Sequence, residues 1–145
     1  FGELGFEVVH FYDYLERMIA DGALKLSNGA GSYTFHDPCR LGRMAKIYES
    51  PRSILKNLAG SELREMERNR ENAVCCGTTG WANCSSCSKQ IQVERLKEAK
   101  ATGAETLVTA CPKCQIHLSC ALANMDMKLE TKALTPLITE SMATA

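Results

Sequence analysis

The sequence predicts an α/β fold: a small, mainly parallel sheet flanked by helices, with cysteine ligands at the C-terminal ends of the strands. Two observations predict this architecture. Strand-like and helix-like segments alternate along the chain, an order typical of parallel strands joined by helices. Cysteines also follow several predicted strands directly, and the carboxyl ends of parallel strands lie along one edge of a sheet. We therefore expect residues that are distant in sequence to meet at one site.

The N-terminal segment, residues 1–30, is predicted to hold the first helix and a linker of the same domain. Apolar residues between positions 8 and 19 recur every three or four residues, as on one face of a helix. Asp21-Gly22 then forms a helix stop signal. The aromatic residues of this helix are predicted to belong to the core: Phe11, Tyr12 and Tyr14.

The central segment, residues 31–130, is predicted to be the cysteine-rich domain that contains the sheet. Residues 32–36 predict a strand that runs into Cys39, and a helix follows with Ser50 as its N-cap. Short strands are expected at residues 63–66 and 72–75, and the second of these leads into a pair of adjacent cysteines.

Further along, the composition of residues 85–102 indicates a helix, because Lys, Gln, Glu, Arg, Leu and Ala dominate it. Residues 106–110 form the clearest strand and lead directly into Cys111, and a last helix is expected from Pro112 to about residue 124. The weakly patterned residues 131–145 are assigned to a C-terminal tail, either frayed or docked elsewhere.

Composition narrows the classes of function. The formal net charge is zero and the pI is about 7.0, which argues against a nucleic-acid partner or a polybasic membrane anchor. We expect no direct membrane span, since no apolar run approaches the ~20 residues that a membrane helix needs, and no signal-peptide pattern is recognised. The 8 cysteines then indicate metal or redox chemistry in the cytoplasm. The start at Phe1, without Met, suggests a piece of a longer protein.

Five cysteines form three clusters along the chain: Cys39, the adjacent pair Cys75 and Cys76, and the pair Cys111 and Cys114. Cys111-Pro112-Lys113-Cys114 stands at a helix start, where both sulfurs can face one metal and the positive helix end stabilises thiolates. Adjacent cysteines on an extended chain point to opposite sides, so the other pair needs a turn. Gly77-Thr78-Thr79-Gly80 supplies that turn, and its amides can donate hydrogen bonds to cluster sulfides.

The number of candidate ligands bears on the identity of the metal. Zinc takes four ligands in a tetrahedron, and an ordinary cubane iron-sulfur cluster also takes four thiolates. A fifth cysteine therefore favours a larger or irregular iron-sulfur cluster. Zinc stays open as the alternative, held by four of the five cysteines in a structural module that mediates subunit assembly.

Three blocks of residues resemble a known family: His36-Asp37-Pro38-Cys39-Arg40, Cys75-Cys76-Gly77 and Ala110-Cys111-Pro112-Lys113-Cys114. Over about residues 33–122 the chain resembles the CCG cysteine-rich domain of heterodisulfide reductases and related iron-sulfur oxidoreductases. The resemblance implies that the five cysteines bind a noncubane [4Fe-4S] cluster in an oxidoreductase that exchanges electrons with a disulfide or thiol substrate. It equally allows a domain that relays electrons in a larger complex.

Family members often carry two such motifs, and this sequence has one. The resemblance therefore implies partner subunits, either ferredoxin-like or flavin-containing. Four side chains beside the ligands are candidates to neutralise thiolate charge or to hold an anionic thiol, with solvated surface as the alternative for each: Arg40, Arg43, Lys113 and His117. His36 is expected to be a structural histidine, and no catalytic residue is assigned.

Three cysteines remain outside this set. Cys84 and Cys87 form a second Cys-x-x-Cys at a helix start, which suits a redox dithiol, a second metal site or an entry point for electrons. Burial as small core residues is the alternative, and for Cys120 it is the expectation. A metal-free thiol-disulfide exchanger acting through Cys84 and Cys87 is a third hypothesis. The iron-sulfur hypothesis is preferred because it alone uses Cys39 together with the adjacent pair.

Overall fold

A four-stranded parallel sheet forms the centre of the fold in a computed structural model that describes residues 4–27, 29, 31–78 and 85–142. Its strands are β1 (Gly31–His36), β2 (Ser61–Leu63), β3 (Thr106–Thr109) and β4 (Glu130–Ala133). They lie in the order β2-β1-β3-β4, and each neighbouring pair is parallel. The predicted α/β fold is confirmed.

Helices cover both faces of the sheet. The described residues contain five α-helices: α1 (Phe11–Ala20), α2 (Glu49–Lys56), α3 (Ser86–Ala101), α4 (Pro112–Leu122) and α5 (Leu134–Ser141). α1, α2 and α5 share one apolar cluster with Phe35 and Val108, whereas α3 and α4 pack with Leu107 in the other. The central strands are therefore buried on both sides, as parallel strands usually are. Within the described residues, no helix combines the length and apolar character that a membrane crossing requires.

Local capping interactions mark the helix starts near the cysteines. The Ser85 hydroxyl accepts a hydrogen bond from the Ser88 N–H at 3.2 Å and caps α3. Cys111 is the N-cap of α4, and Pro112 occupies its first turn, where the missing N–H has no consequence. α2 differs, since Tyr48 is its N-cap and the predicted cap Ser50 lies inside the helix, donating a hydrogen bond to Asp13 of α1.

The prediction of core residues in α1 was wrong in part. The helix begins at Phe11, so Val8 lies before it and is 72% exposed. Phe11 and Tyr14 are exposed as well, and among the predicted aromatic core residues Tyr12 alone is buried. The cause is that α1 makes its main contacts with α2 and buries only a narrow face. The Tyr12 hydroxyl forms a hydrogen bond with Thr135 at 3.0 Å, which ties α1 to α5.

The predicted strand at residues 72–75 was also wrong. This segment contains the end of a 3₁₀ turn, Arg70–Asn72, followed by irregular backbone. The sheet, in the order β2-β1-β3-β4, does not include this segment. Arg70 instead turns the chain with a φ of 53°, and its N–H donates to the Asp37 carboxylate at 2.8 Å. The other short strand, predicted at 63–66, is shifted to Ser61–Leu63.

The weakly patterned C-terminal segment contributes more than its sequence indicated. Residues 130–133 form β4, which pairs with β3, and α5 follows with Leu134, Leu137 and Ile138 buried. β4 lies at the edge of the sheet and is polar, so it lacks the apolar alternation that identifies a strand. The Ser27 N–H donates to the Ser141 carbonyl at 2.7 Å, which fixes the end of α5 to the N-terminal segment.

Candidate metal centre

The sheet brings two of the three cysteine clusters to one edge. β1 and β3 are parallel neighbours in which His36 pairs with Thr109, so both strands end at the same level. Cys39 follows β1 at the start of a π-helical turn, and Cys111 follows β3 at the start of α4. The third cluster, Cys75 and Cys76, lies on the loop after the 3₁₀ turn rather than at a strand end.

All five predicted ligands line two adjoining cavities at this edge. The smaller cavity, of about 200 Å³, is bordered by Cys39, Cys75, Cys76 and Cys114. The larger, of about 320 Å³, is bordered by Cys39, Cys76, Cys111 and Cys114. Cys39, Cys76 and Cys114 are common to both, so the thiols surround one continuous site. Their burial is graded, since Cys76 and Cys114 are about 5% and 4% exposed whereas Cys39 is exposed.

Hydrogen bonds among the thiols lower the pKa of two cysteines, which accept them, and raise the pKa of two others, which donate them. The Cys114 thiol donates toward Cys111 and, with the backbone N–H groups of Cys114 and Lys113, lowers the pKa of Cys111 to about 5. Hydrogen bonds from Cys114, Cys75 and His36 also lower the pKa of Cys76, against the effect of burial. The pKa values of Cys75 and Cys114 are raised because these thiols supply the protons. Two positions are therefore prepared as thiolates, the form that binds metal.

In the metal-free protein, the reactivity of Cys111 should follow its lowered pKa. A thiol with a pKa of about 5 is almost fully thiolate at neutral pH. As the pH is raised, its alkylation rate should therefore reach a constant value before pH 7. As the pH is lowered, the rate should fall around pH 5. Iodoacetamide labelling with mass mapping measures this rate at each pH. Free cysteine, with a pKa of about 8.5, is the control and should still gain reactivity between pH 7 and 9. A Cys111 rate that keeps rising above pH 7 would contradict the prediction.

The turn after the cysteine pair uses Gly77 for a steric reason. Gly77 has a φ of +80°, and a Cβ there would lie 2.5 Å from the Ser88 carbonyl oxygen and 2.7 Å from Gln92 Cγ. The turn therefore packs directly against α3. The backbone N–H groups of Gly77 and Thr78 also donate to the Cys75 sulfur, so the turn faces the site. Thr79 and Gly80, the rest of the predicted turn, lie outside the described residues.

Replacing Gly77 with Ala should displace this turn and reduce metal binding. The clash with backbone and side-chain atoms is expected to cost about 1–3 kcal/mol of stability beyond the strain of a positive φ. Urea unfolding and metal content per chain measure the two effects. Gly22→Ala is the matched control, because Gly22 has a φ of +72° and open space around its Cα. That variant should lose only the strain energy and keep its metal; equal metal content in both variants would contradict the expectation.

A buried ion pair joins two of the cysteine segments. Arg52, fully buried on α2, donates to both carboxylate oxygens of Asp37, at 2.7 and 2.9 Å, and to Glu65 at 2.6 Å. Asp37 stands two residues before Cys39 and also accepts the Arg70 N–H. It thus connects the loop that carries Cys39 to the turn that precedes Cys75. No pattern in the sequence pointed to Arg52, and Asp37 was noted only as part of a motif.

His36 lies behind Cys76, and its placement agrees with a structural role. It is 1% exposed at the end of β1, and its Nδ1 accepts a hydrogen bond from Arg95 Nε at 3.1 Å. A second hydrogen bond joins the ring to Cys76. Donor atoms of His36, Cys76 and Cys114 lie within 4.8 Å of one another, so distance alone would permit a shared metal.

The four side chains proposed to balance charge separate into two groups. Arg40 and Lys113 border the larger cavity and Arg43 borders the smaller one, where its guanidinium also donates to the Ala73 carbonyl at 2.9 Å. His117 borders neither cavity, and its Nδ1 lies 3.2 Å from Gln92 Nε2. The cavities are therefore flanked by cations, and His117 belongs to the α3–α4 contact.

The remaining cysteines lie away from these cavities as far as the structure describes them. Cys87 is exposed at the start of α3, and Cys84 lies outside the described residues, so a redox pair between them stays a prediction. The expectation that Cys120 is buried was wrong. It is exposed on α4, and its sulfur lies 3.4 Å from the Lys89 ammonium.

Comparison with known proteins gives a consistent set of relatives. The family model CCG, described as a cysteine-rich domain, matches residues 33–119. One relative is a subunit of a dihydromethanophenazine:CoB–CoM heterodisulfide reductase from Methanosarcina acetivorans. The two sequences are 32% identical over an alignment that covers 97% of this chain and 35% of that subunit. The chain is 36% identical, over 77% of its length, to 17% of a probable iron-sulfur-binding oxidoreductase from Bacillus subtilis. It is 32% identical, over 88% of its length, to 19% of an EtfAB:quinone oxidoreductase from Syntrophomonas wolfei. The chain thus spans about a third or less of the length of these relatives.

Proposed function

This chain belongs to the CCG family of cysteine-rich domains, and from that premise we propose that it binds an iron-sulfur cluster through five cysteines: Cys39, Cys75, Cys76, Cys111 and Cys114. One observation carries the proposal. The five thiols, from three separate segments, line two adjoining cavities at the carboxyl edge of a parallel sheet. Five thiolates exceed the four that zinc or a cubane cluster takes, which favours a noncubane [4Fe-4S] cluster.

The residues around the thiols suit such a group. Thr78 Oγ1 is buried beside the larger cavity and has no hydrogen-bond partner within the described part of the chain. A hydroxyl donor in that position matches the acceptor sulfides of a cluster. When bound, the cluster supplies electrons and Lewis acidity, and the chain supplies thiolates, hydrogen bonds and exclusion of water.

The domain then acts in electron transfer within a larger heterodisulfide-reductase-like oxidoreductase of the cytoplasm. Either it exchanges electrons with a disulfide or thiol, or it relays them between partners. In the first case two electrons and two protons convert one disulfide into two thiols, and a ferredoxin-like or flavin-containing subunit supplies the electrons. Arg40 and Lys113 support an anionic thiol substrate, because both border the larger cavity beside the exposed Cys39.

The proposal is tested by anaerobic purification of the chain, followed by analysis of iron, sulfide and zinc and by electron paramagnetic resonance. We expect about four irons and four sulfides per chain, with a paramagnetic signal in one oxidation state. Stoichiometric zinc without sulfide would overturn the proposal and favour a structural module for subunit assembly. One observation favours such a zinc module as the second candidate: the donor atoms of His36, Cys76 and Cys114 lie within 4.8 Å of one another.

A further inference from the structure

A buried arginine, Arg95, contacts a buried histidine, His36, which lies next to the Cys76 sulfur. Arg95, on α3, is fully buried, and its Nη1 is held by the Arg68 carbonyl and the Glu98 carboxylate, each at 2.8 Å. Its Nε donates to His36 Nδ1 at 3.1 Å. A ring nitrogen of His36 in turn lies within 4.8 Å of the Cys76 sulfur, and a hydrogen bond between the two contributes to the lowered pKa of Cys76. The His36 ring thus connects the Arg95 guanidinium to the candidate metal centre.

The Arg95 guanidinium fixes the tautomer of that ring. Arginine carries donors only, so the nitrogen that faces it, His36 Nδ1, has to be an acceptor. A neutral ring with an accepting Nδ1 carries its proton on Nε2. Nε2–H is therefore the donor to the Cys76 sulfur.

This tautomer excludes His36 from the ligand set. Metal coordination through Nε2 would need the proton on Nδ1, where it would oppose the Arg95 N–H, and Nδ1 itself already accepts from Arg95. Both ring nitrogens are committed although the ring lies close to Cys76 and Cys114. His36 therefore lies close to the two sulfurs as a hydrogen-bond donor and not as a metal ligand.

We propose that Arg95 and His36 form a positioning pair, which donates one hydrogen bond to the Cys76 ligand and raises the reduction potential of the cluster without contacting iron. The proposal rests on the proposed function. Reduction adds negative charge to a cluster and its sulfurs, so a donor at a ligand sulfur stabilises the reduced state. Glu98 balances the charge of Arg95, which leaves the hydrogen bond as the main effect.

Two substitutions of His36 separate a hydrogen-bond role from a packing role. His36→Met fills the space without a donor, whereas His36→Gln keeps an N–H near the position of Nε2. For His36→Met we expect the reduced-to-oxidised ratio at a fixed ambient potential to fall about tenfold, which is about 59 mV for a one-electron couple. His36→Gln should recover most of this shift, and all variants should retain the wild-type iron content. Redox titration followed by electron paramagnetic resonance measures the ratio.

His117→Gln is the matched control, because this histidine borders neither cavity and should leave the potential unchanged. Equal potentials in His36→Met and His36→Gln, or loss of iron from a folded His36→Met protein, would overturn the proposal. The wild-type chain provides a test that needs no variant. After ¹⁵N labelling of histidine, pulsed electron paramagnetic resonance should show no coupling of the size of a directly bound imidazole nitrogen, and finding one would also overturn it.

Failure of the proposed function gives a different result. A zinc-containing, sulfide-free wild-type chain would refute the cluster, and X-ray absorption at the zinc edge would then test the assignment of His36 separately. Ligation by sulfur alone from this chain would support the tautomer argument even in that case. A nitrogen ligand to zinc that disappears in His36→Gln would overturn it.

Discussion

Replacing Cys76 with Ala is expected to abolish the cluster spectrum and to remove most of the iron from the domain. Cys76 borders both cavities, is about 5% exposed and has hydrogen bonds to Cys75, Cys114 and His36. Losing a partner that merely orients a ligand already weakens metal binding about 10–100-fold, so loss of a central ligand should exceed that range. Iron and sulfide per chain, measured after anaerobic reconstitution, give the result directly.

Cys120→Ala serves as the matched control for this substitution. The change in composition is the same, but Cys120 is exposed on α4 and borders neither cavity. We expect its iron content and spectrum to equal those of the wild-type chain. An unchanged iron content in Cys76→Ala would argue strongly against the assignment of the five ligands, provided that circular dichroism shows both variants to be folded.

Several parts of the fold followed from local patterns in the sequence. The helices at residues 85–102 and 112–124 and the strand at 106–110 were predicted close to their observed bounds, Ser86–Ala101, Pro112–Leu122 and Thr106–Thr109. Capping residues and a concentrated β-branched segment mark these elements within a few residues of sequence. Such signals need no knowledge of the partner elements.

The errors occurred where tertiary structure overrides local preference. Residues 72–75 were predicted as a strand, but the Arg70 N–H donates to the buried Asp37 carboxylate and the chain turns just before this segment. β4 is polar and weakly patterned, yet it pairs with β3 because α5 covers the sheet beside it. Neither outcome is visible in a short window of sequence.

The candidate site was predictable as a set of cysteines but not as a hydrogen-bonded assembly. Spacing and predicted strand ends suggested that all three cysteine clusters would meet, although the strand predicted before Cys75 and Cys76 is absent from the structure. The buried arginines near the thiols, Arg52 and Arg95, could not be predicted in this way. Both lie on helices, where an arginine is usually exposed to solvent. Their burial becomes apparent only when Asp37 and His36 are seen to face them.

Replacing Arg52 with Met should produce a large loss of stability, although this residue is not a candidate ligand. Arg52 is fully buried, and its removal leaves the Asp37 carboxylate, whose side chain is 2% exposed, without its bidentate partner. An unpaired buried charge of this kind costs about 3–5 kcal/mol. The free energy of unfolding of the metal-free protein, from urea titration followed by circular dichroism, should fall by that amount.

Two further variants decide whether the ion pair itself is responsible for that loss. Arg64→Met removes an ion pair with Glu62 at the surface, where solvent screens the interaction, and it should change stability only slightly. Asp37→Asn combined with Arg52→Met leaves no buried charge at this position and keeps an acceptor for the Arg70 N–H, so it should recover part of the loss. If the double variant is no more stable than Arg52→Met, the loss comes from packing against Phe35, whose ring centroid lies 5.3 Å from the guanidinium carbon. Recovery of stability together with lower metal content would show that the charged pair holds the Cys39 and Cys75 segments in register, since Asp37 contacts both.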